Sequence, residues 1–304
     1  MTIIICPIKI EDKENVLSIA RRIPGNFFDK VFDYWIADPQ NLFYGIFINK
    51  ELVGFGDLFL HASKEAWLQG IRIIPEFQRQ GLATKLVDYV ETLCANKAIK
   101  IIRFNTAPQN ENMIRLGIKR GYKKNRDWIV CRASAEEMKH MLDNSTEADR
   151  VPFKTLRVNP ISLYFSQYHR PFPPTELLFS DFRTYSWQSI QNKTAPTHPT
   201  PYLIIAEDEE VGISVQDMDP KLHQTTLLGT TIGFIWGSST TGEKLLRTFI
   251  SQKLEEGYKK FRIGLPDNFE SIFLNLGFYL QDPDHQILWS VYSKDLNVSY
   301  NRKI

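Results

Sequence analysis

Cysteine is scarce in this chain: Cys6, Cys94 and Cys131 are the three among 304 residues, far apart and without a CxxC pair. Such spacing excludes a disulfide framework or a thiolate metal site and leaves them as small buried hydrophobes. The six histidines are scattered, with no HExxH and no close pair, so no metal is expected. No apolar run approaches the length of a membrane span, which excludes the membrane as a partner. Charge of one sign is also lacking. Lys and Arg total 37 and Asp and Glu 35, a net charge of +2. No basic run with interleaved aromatics appears, so nucleic acid is not an expected partner. The opening Met1-Thr2-Ile3-Ile4-Ile5-Cys6-Pro7 is too short and lacks the positive lead of a secretory signal. Without that signal the glycosylation patterns at Asn144, Asn192 and Asn297 carry no weight. These absences together predict a cytoplasmic protein. What is present is 43% apolar and 24% charged, a globular composition. The length suits two domains.

The first half reads as alternating strands and helices, an α/β pattern. Ile3–Ile8 is a strand and Glu11–Arg22 an amphipathic helix with Val16, Ile19 and Ala20 on one face. Phe27–Ile36 is helical and stops before Asp38-Pro39. Leu42–Ile48 and Leu52–Leu60 read as strands joined by a tight turn at Asn49-Lys50. Later strands are expected near 100–106 and 127–133, with a helix near 110–120 between them. Ser134-Ala135-Glu136-Glu137 has the form of a capping box that opens a short helix. The polar stretch Asp143–Asp149 marks a boundary between domains at 1–145 and 150–304.

The richest stretch is Gln78-Arg79-Gln80-Gly81-Leu82-Ala83. It follows the apolar run Ile71–Pro75 and leads into Thr84–Glu91. A strand, a glycine-bearing turn and a helix at this spacing point several backbone N–H groups and a helix N-terminus at one spot, which suits a phosphate. Gly81 permits close approach of a ligand, Ala83 keeps the first helical turn thin, and Gln78 and Arg79 can add side-chain donors.

This Q/R-x-x-G-x-G/A loop resembles the pyrophosphate loop of the GNAT superfamily of acetyl-CoA-dependent N-acetyltransferases. Trp67–Pro75 resembles the strand before that loop, Lys100–Phe104 the strand after it, and Asn110–Leu116 closed by Gly121-Tyr122 the family's following helix. The resemblance implies a GNAT fold, a mixed central sheet flanked by helices. It implies acetyl-CoA as co-substrate, with its pantetheine arm on backbone groups of Ile71 and Ile73. Its pyrophosphate would lie on the N–H groups of Arg79, Gln80, Gly81, Leu82, Ala83 and Thr84, and Asn110 would contact its arm. The family tyrosine that serves as acid toward sulfur falls on Gly117 here, so the acid is unassigned. Candidate bases are Glu65 and Asp57, each weighed against an exposed carboxylate at a strand end. Trp67 is a candidate pocket wall, and Arg72 a candidate for a substrate carboxylate.

Phe28–Pro39 and Trp67–Pro75 also look similar to the histidine N-acetyltransferase branch, which implies a free amino acid as acceptor. A small-molecule amine is therefore the expected acceptor. A protein or peptide amine, or a CoA-binding module without turnover, remains the alternative. The sequence leaves a monomer or a homodimer open.

The second half reads as a worn copy of the first, making two tandem GNAT-like domains; the alternative is an unrelated α/β domain. Thr231–Trp236 is a strand, Gly242 opens a helix to about Gly257, Lys260–Leu265 is a strand, and Ile272–Phe278 mirrors Ile114–Tyr122. Laying Ala83 on Gly242 places Gly81 on Thr240 and Gln78 on Gly237, so the copy has lost its first glycine and its cationic flank. Coenzyme binding is not expected there. Gly237–Lys244 approaches a Walker A loop, but Glu243 intervenes before Lys244 and Leu245 replaces the hydroxyl. A carboxylate in the phosphate seat is repulsive, which excludes nucleotide hydrolysis. The Pro- and aromatic-rich stretch 155–202 carries no assignment.

Overall fold

The computed structural model describes residues 2–25, 27–61, 64–142, 151–157, 177–180, 183–186, 202–206, 212–218, 227–236, 238–266, 270–276 and 286–296. The expected boundary at Asp143–Asp149, most of 155–202 and Gly277-Phe278 lie outside the described residues.

Five strands open the chain: β1 (Ile3–Pro7), β2 (Asn41–Ile48), β3 (Glu51–His61), β4 (Glu65–Ile73) and β5 (Ile101–Thr106). Helices α1 (Lys13–Arg21) and α2 (Phe28–Ala37) fall between β1 and β2. Helix α3 (Leu82–Asn96) links β4 to β5, and α4 (Glu111–Lys119) leads to β6 (Lys123–Ser134). Asn49 and Lys50 both take positive φ, 49° and 74°. Two such residues make the turn that matches strand twist in a two-residue hairpin, as read from the sequence. The capping box at α5 (Ala135–Leu142) also forms: Glu137 N–H donates to Ser134 Oγ at 3.2 Å and Ser134 N–H to Glu137 Oε2 at 2.6 Å.

The second half supplies β7 (Phe153–Arg157), β8 (Leu177–Ser180), β9 (Arg183–Ser186), β10 (Tyr202–Ala206), β11 (Gly212–Asp217) and β12 (Gly229–Trp236). They are followed by α6 (Ser239–Glu255), β13 (Lys260–Pro266), α7 (Glu270–Asn275) and β14 (Gln286–Asp295). Helix α6 begins three residues before the expected Gly242. Ser238 caps it, with Oγ accepting from Thr241 N–H at 3.1 Å.

Twelve strands form one sheet in the order β1-β2-β3-β4-β5-β14-β6-β13-β12-β11-β10-β7. Two strands lie where chain order would not put them. β14, the last strand of the chain, sits between β5 and β6. β6, from the first half, sits between β14 and β13. Each half thus lends its final strand to the other. β4 and β5 run parallel around α3, and β12 and β13 run parallel around α6.

Packing explains the order. Phe28 on α2 is fully buried against Phe43 and Phe55, and burial of such a ring stabilises by about 1.5–3 kcal/mol. On the opposite face Phe104 stacks on Tyr292 of β14 at 5.1 Å and meets Tyr122 edge-on at 5.2 Å. Lys294 of β14 reaches Glu91 of α3 at 2.7 Å, where Arg120 joins at 2.8 Å. The exchanged strand is thereby pinned by an aromatic stack and a half-buried ion triplet.

Cys94 and Cys131 are buried and Cys6 is half-buried. Burial, then the Glu91 charge, pushes the Cys94 thiol up to about 12, and burial pushes Cys131 higher still. Thiol reagents act on the thiolate. Titration of native protein at neutral pH is therefore expected to modify Cys6 alone, with Cys94 and Cys131 reacting after denaturation. Prompt reaction of a second native thiol would contradict this packing.

Candidate active site

The β4–β5 ladder is short. It joins Glu65 to Ile101, Ala66 to Ile102 and Trp67 to Arg103, and then the strands part. A bulge causes the parting. Opposite Phe55–Asp57, β4 carries the extra residue of Gln69–Arg72, and Gly70 there has φ 65°. A Cβ at Gly70 would stand 2.7 Å from Phe28 Cζ, so only glycine allows α2 to seat against the bulge. Past the bulge Ile74 N–H donates to Val53 O at 3.0 Å. By alternation, the backbone groups of Ile73 face the open β5 side.

The slot ends at the turn before α3. Arg79 and Gly81 take φ of 61° and 78°, and a Cβ at Gly81 would meet nothing within 4 Å. The first helical bond recorded there runs from Lys85 N–H to Gly81 O at 3.1 Å. None of the amides from Arg79 to Thr84 finds an acceptor among the described residues. Gly81 is the N-cap and offers no side chain to them. At α6 the equivalent place is filled by Ser238. An unfilled helix N-terminus with concave N–H groups is a seat for phosphate oxygens.

Two readings of side chains change, those of Gln78 and Asn110. Gln78 does not reach outward, because its amide nitrogen donates to Ile73 O at 2.8 Å. Gln80 likewise donates to Glu76 O at 3.0 Å. Both brace the turn from within and leave its backbone as the donor surface. Asn110 caps α4, its Oδ1 accepting from Met113 N–H at 3.2 Å. The outward aim expected of Gln78 rested on residue type, and that of Asn110 on the family resemblance.

The two carboxylates also differ from the exposed strand-end reading. Glu65 is 5% exposed and pairs with Arg103 Nη1 at 2.5 Å across β4 and β5. The guanidinium occupies the carboxylate and ties β4 to β5 at this level. Glu65 therefore locks the closed end of the ladder. Asp57 is fully enclosed and accepts from Gln69 Nε2 at 2.5 Å. Burial, then the charge of Asp57, drives the Tyr44 phenol well above its ordinary value, so Tyr44 keeps its proton at neutral pH. At Gly117 a Cβ would lie 2.6 Å from Phe104 Cζ. That position faces the core and cannot carry a larger side chain without repacking.

Arg72 lies on the α2 side of the bulge. Its guanidinium sits 5.8 Å and 5.6 Å from the ring centres of Phe27 and Phe28. Its nitrogens donate to Ile71 O at 3.0 Å and Gly25 O at 3.3 Å. Burial lowers its pKa, and it has no carboxylate partner among the described residues. Trp67, buried on β4, pairs in register with Phe59 and Arg103. Among the described residues no group of three or more His, Cys, Asp or Glu could hold a metal, and no helix is long and apolar enough to cross a membrane.

A strand-splayed slot that ends at an unfilled helix N-terminus defines the class. Residues 13–122 match the Acetyltransferase (GNAT) family. This part of the chain is a GNAT acetyltransferase domain, and the protein is an acyltransferase. No curated protein matches the chain. Among solved structures, a GCN5-related N-acetyltransferase from Sphaerobacter thermophilus is similar over 97% of this chain and 96% of its own, with 14% identity and a TM-score of 0.59. One from Anabaena variabilis is similar over 98% of this chain and 74% of its own, with 16% identity and a TM-score of 0.50. At these identities the likeness is one of fold.

Proposed function

We infer that the protein moves an acetyl group from acetyl-CoA to the primary amine of a small molecule bearing a carboxylate, such as a free amino acid. The observation that carries this reading is the row of unfilled amides from Arg79 to Thr84 at the mouth of the β4–β5 slot. Those amides would hold the pyrophosphate, and the backbone of Ile71 and Ile73 the pantetheine arm. The bound thioester supplies an acyl carbon with a good leaving sulfur. The amine nitrogen attacks that carbon in a ternary complex, the carbon–sulfur bond breaks, and the amine gives up a proton as the thiolate gains one. Holding the two reactants together supplies much of the rate.

Calorimetry with acetyl-CoA tests the seat. Gly81→Val puts a β-branched residue at positive φ, a strain of about 1–2 kcal/mol, and turns the amides away. Loss of one charge-assisted contact is expected to weaken acetyl-CoA binding by about tenfold or more. Wild-type protein that shows no affinity for acetyl-CoA would remove the proposal.

Arg72 supports the acceptor class, since a cation held between two phenyl rings and two carbonyls awaits an anion. Arg72→Met keeps the volume and removes the charge. With a free amino acid as acceptor, KM is expected to rise roughly 10–100-fold. With the corresponding decarboxylated amine it should stay unchanged. Equal effects on both acceptors would exclude a carboxylate at Arg72, and wild-type turnover only with peptides would favour the protein-acceptor alternative. The parallel pairs around α3 and α6 support reading the second half as a GNAT-like repeat, and Ser238 at its helix start is consistent with a copy that holds no coenzyme.

A further inference from the structure

The geometry points to the β8–β9 hairpin, a piece of the second half, as a wall of the first half's acceptor pocket. β9 packs on β4 and β5, while β8 packs on β12 and β13. The ribbon therefore crosses the sheet from one parallel pair to the other.

Alternation tells which side it covers. Residues paired across strands share a face, as do residues two apart along one strand. Arg103 and Asn105 pair with Ser293 and Val291. Val291 pairs with Arg126, and Trp128 and Val130 follow Arg126 at two-residue steps. All of these lie on one side. The other side holds Phe104, Tyr122 and Tyr292 beneath α3 and α4. On the Arg103 side, α1 and α2 pack on β2, β3 and β4. Yet Trp128 and Val130 are 1% and 0% exposed, and neither belongs to the two apolar cores. Trp67, in register with Arg103, is equally enclosed and equally outside those cores. Something covers this side, and the hairpin is the described element that spans it between β4 and β13.

Past Trp67 the slot then has three borders on its α2 side: Phe27 and Phe28 with Arg72, the bulge of β4, and β9. A chamber closed in this way admits a small amine and excludes a folded protein's tail. β9 thereby sets which acceptor fits, while the coenzyme seat at the far end of β4 does not depend on it. The inference rests on the acetyltransferase reading above and deepens it.

A kinetic scan tests it on the full chain, with acetyl-CoA and a panel of free amino acids as the probes. Thr184 and Tyr185 of β9 pair with Phe179 and Leu178 of β8. Each is replaced by alanine, with Tyr185→Phe and Thr184→Ser as milder versions should an alanine variant misfold. The β9 variants are expected to raise acceptor KM by about tenfold and to reorder the panel. Affinity for acetyl-CoA by calorimetry should hold steady, and the β8 variants should leave the panel order as it is. Equal effects from both strands, or a weakened coenzyme affinity that tracks stability, overturn the proposal by making the hairpin a brace only. Wild-type turnover with a silent β9 scan sinks the hairpin's role alone. Wild-type protein that binds acetyl-CoA but acetylates no amine sinks the reading of function and this inference with it.

Discussion

Glu65→Gln is expected to cost about 3–5 kcal/mol of stability, because removing one partner of a buried pair strands the other charge. The change is nearly isosteric and leaves an amide oxygen to accept from Arg103. What it removes is the charge that compensates Arg103, which is 7% exposed. Chemical denaturation reads the loss as a lower midpoint with an unchanged slope. A double variant, Glu65→Leu with Arg103→Met, removes both charges and should recover most of the loss, since apolar pairs of similar volume replace buried ion pairs at little cost. In the folded fraction of Glu65→Gln, affinity for acetyl-CoA and kcat are expected to match wild type. The pair closes the end of the ladder away from the turn before α3, where it braces the slot. A collapse of kcat with intact stability would reverse the assignment and return Glu65 to the role of base.

The turn before α3 was legible in the sequence because it depends on local features. Gly81, its position before an amphipathic helix, and the apolar run that precedes it are all set within a few residues. The hairpin at Asn49-Lys50 and the capping box at Ser134 are legible for the same reason. Side-chain direction was not. Gln78 and Asn110 carry donors that suit a coenzyme, but each found a backbone partner closer to home, in Ile73 O and Met113 N–H. Glu65 and Asp57 looked like strand-end carboxylates because their cover and partners come from residues distant in sequence. The bulge at Gly70 left a trace, since an isolated glycine in a strand pattern signals a bulge or close approach, and Phe28 shows that both hold. The exchange of β6 and β14 left none. Gln286–Asp295 reads as an ordinary strand, and the pairing of Ser290 with Thr106 and of Asp295 with Ile101 is a property of the whole sheet.

The same exchange yields the largest effect expected of any truncation. A protein of residues 1–145 should not fold alone, and neither should one of residues 150–304. Both ladder neighbours of β6, β14 and β13, come from the second half. Without them Trp128, Ile129, Val130 and Cys131, all buried in the full chain, would face water. β5 would lose the Tyr292 stack on Phe104, and Glu91 would lose Lys294. Each large apolar side chain returned to solvent costs about 1.5–3 kcal/mol, and a handful of them exceeds the roughly 5–15 kcal/mol that keeps a domain folded. Exposed strand edges would also pair with one another and aggregate. Circular dichroism of either piece is therefore expected to show no cooperative thermal transition, while co-expression of the two should restore one soluble complex with the transition of the intact chain. The result separates two meanings of a domain boundary. Chain composition changes near residue 145, but the unit that folds is the sheet, and the sheet needs both ends of the chain. A piece ending at 145 that melts cooperatively at the full-length temperature would show that β6 can find a partner within the first half, and the strand order given above would then be wrong at its centre.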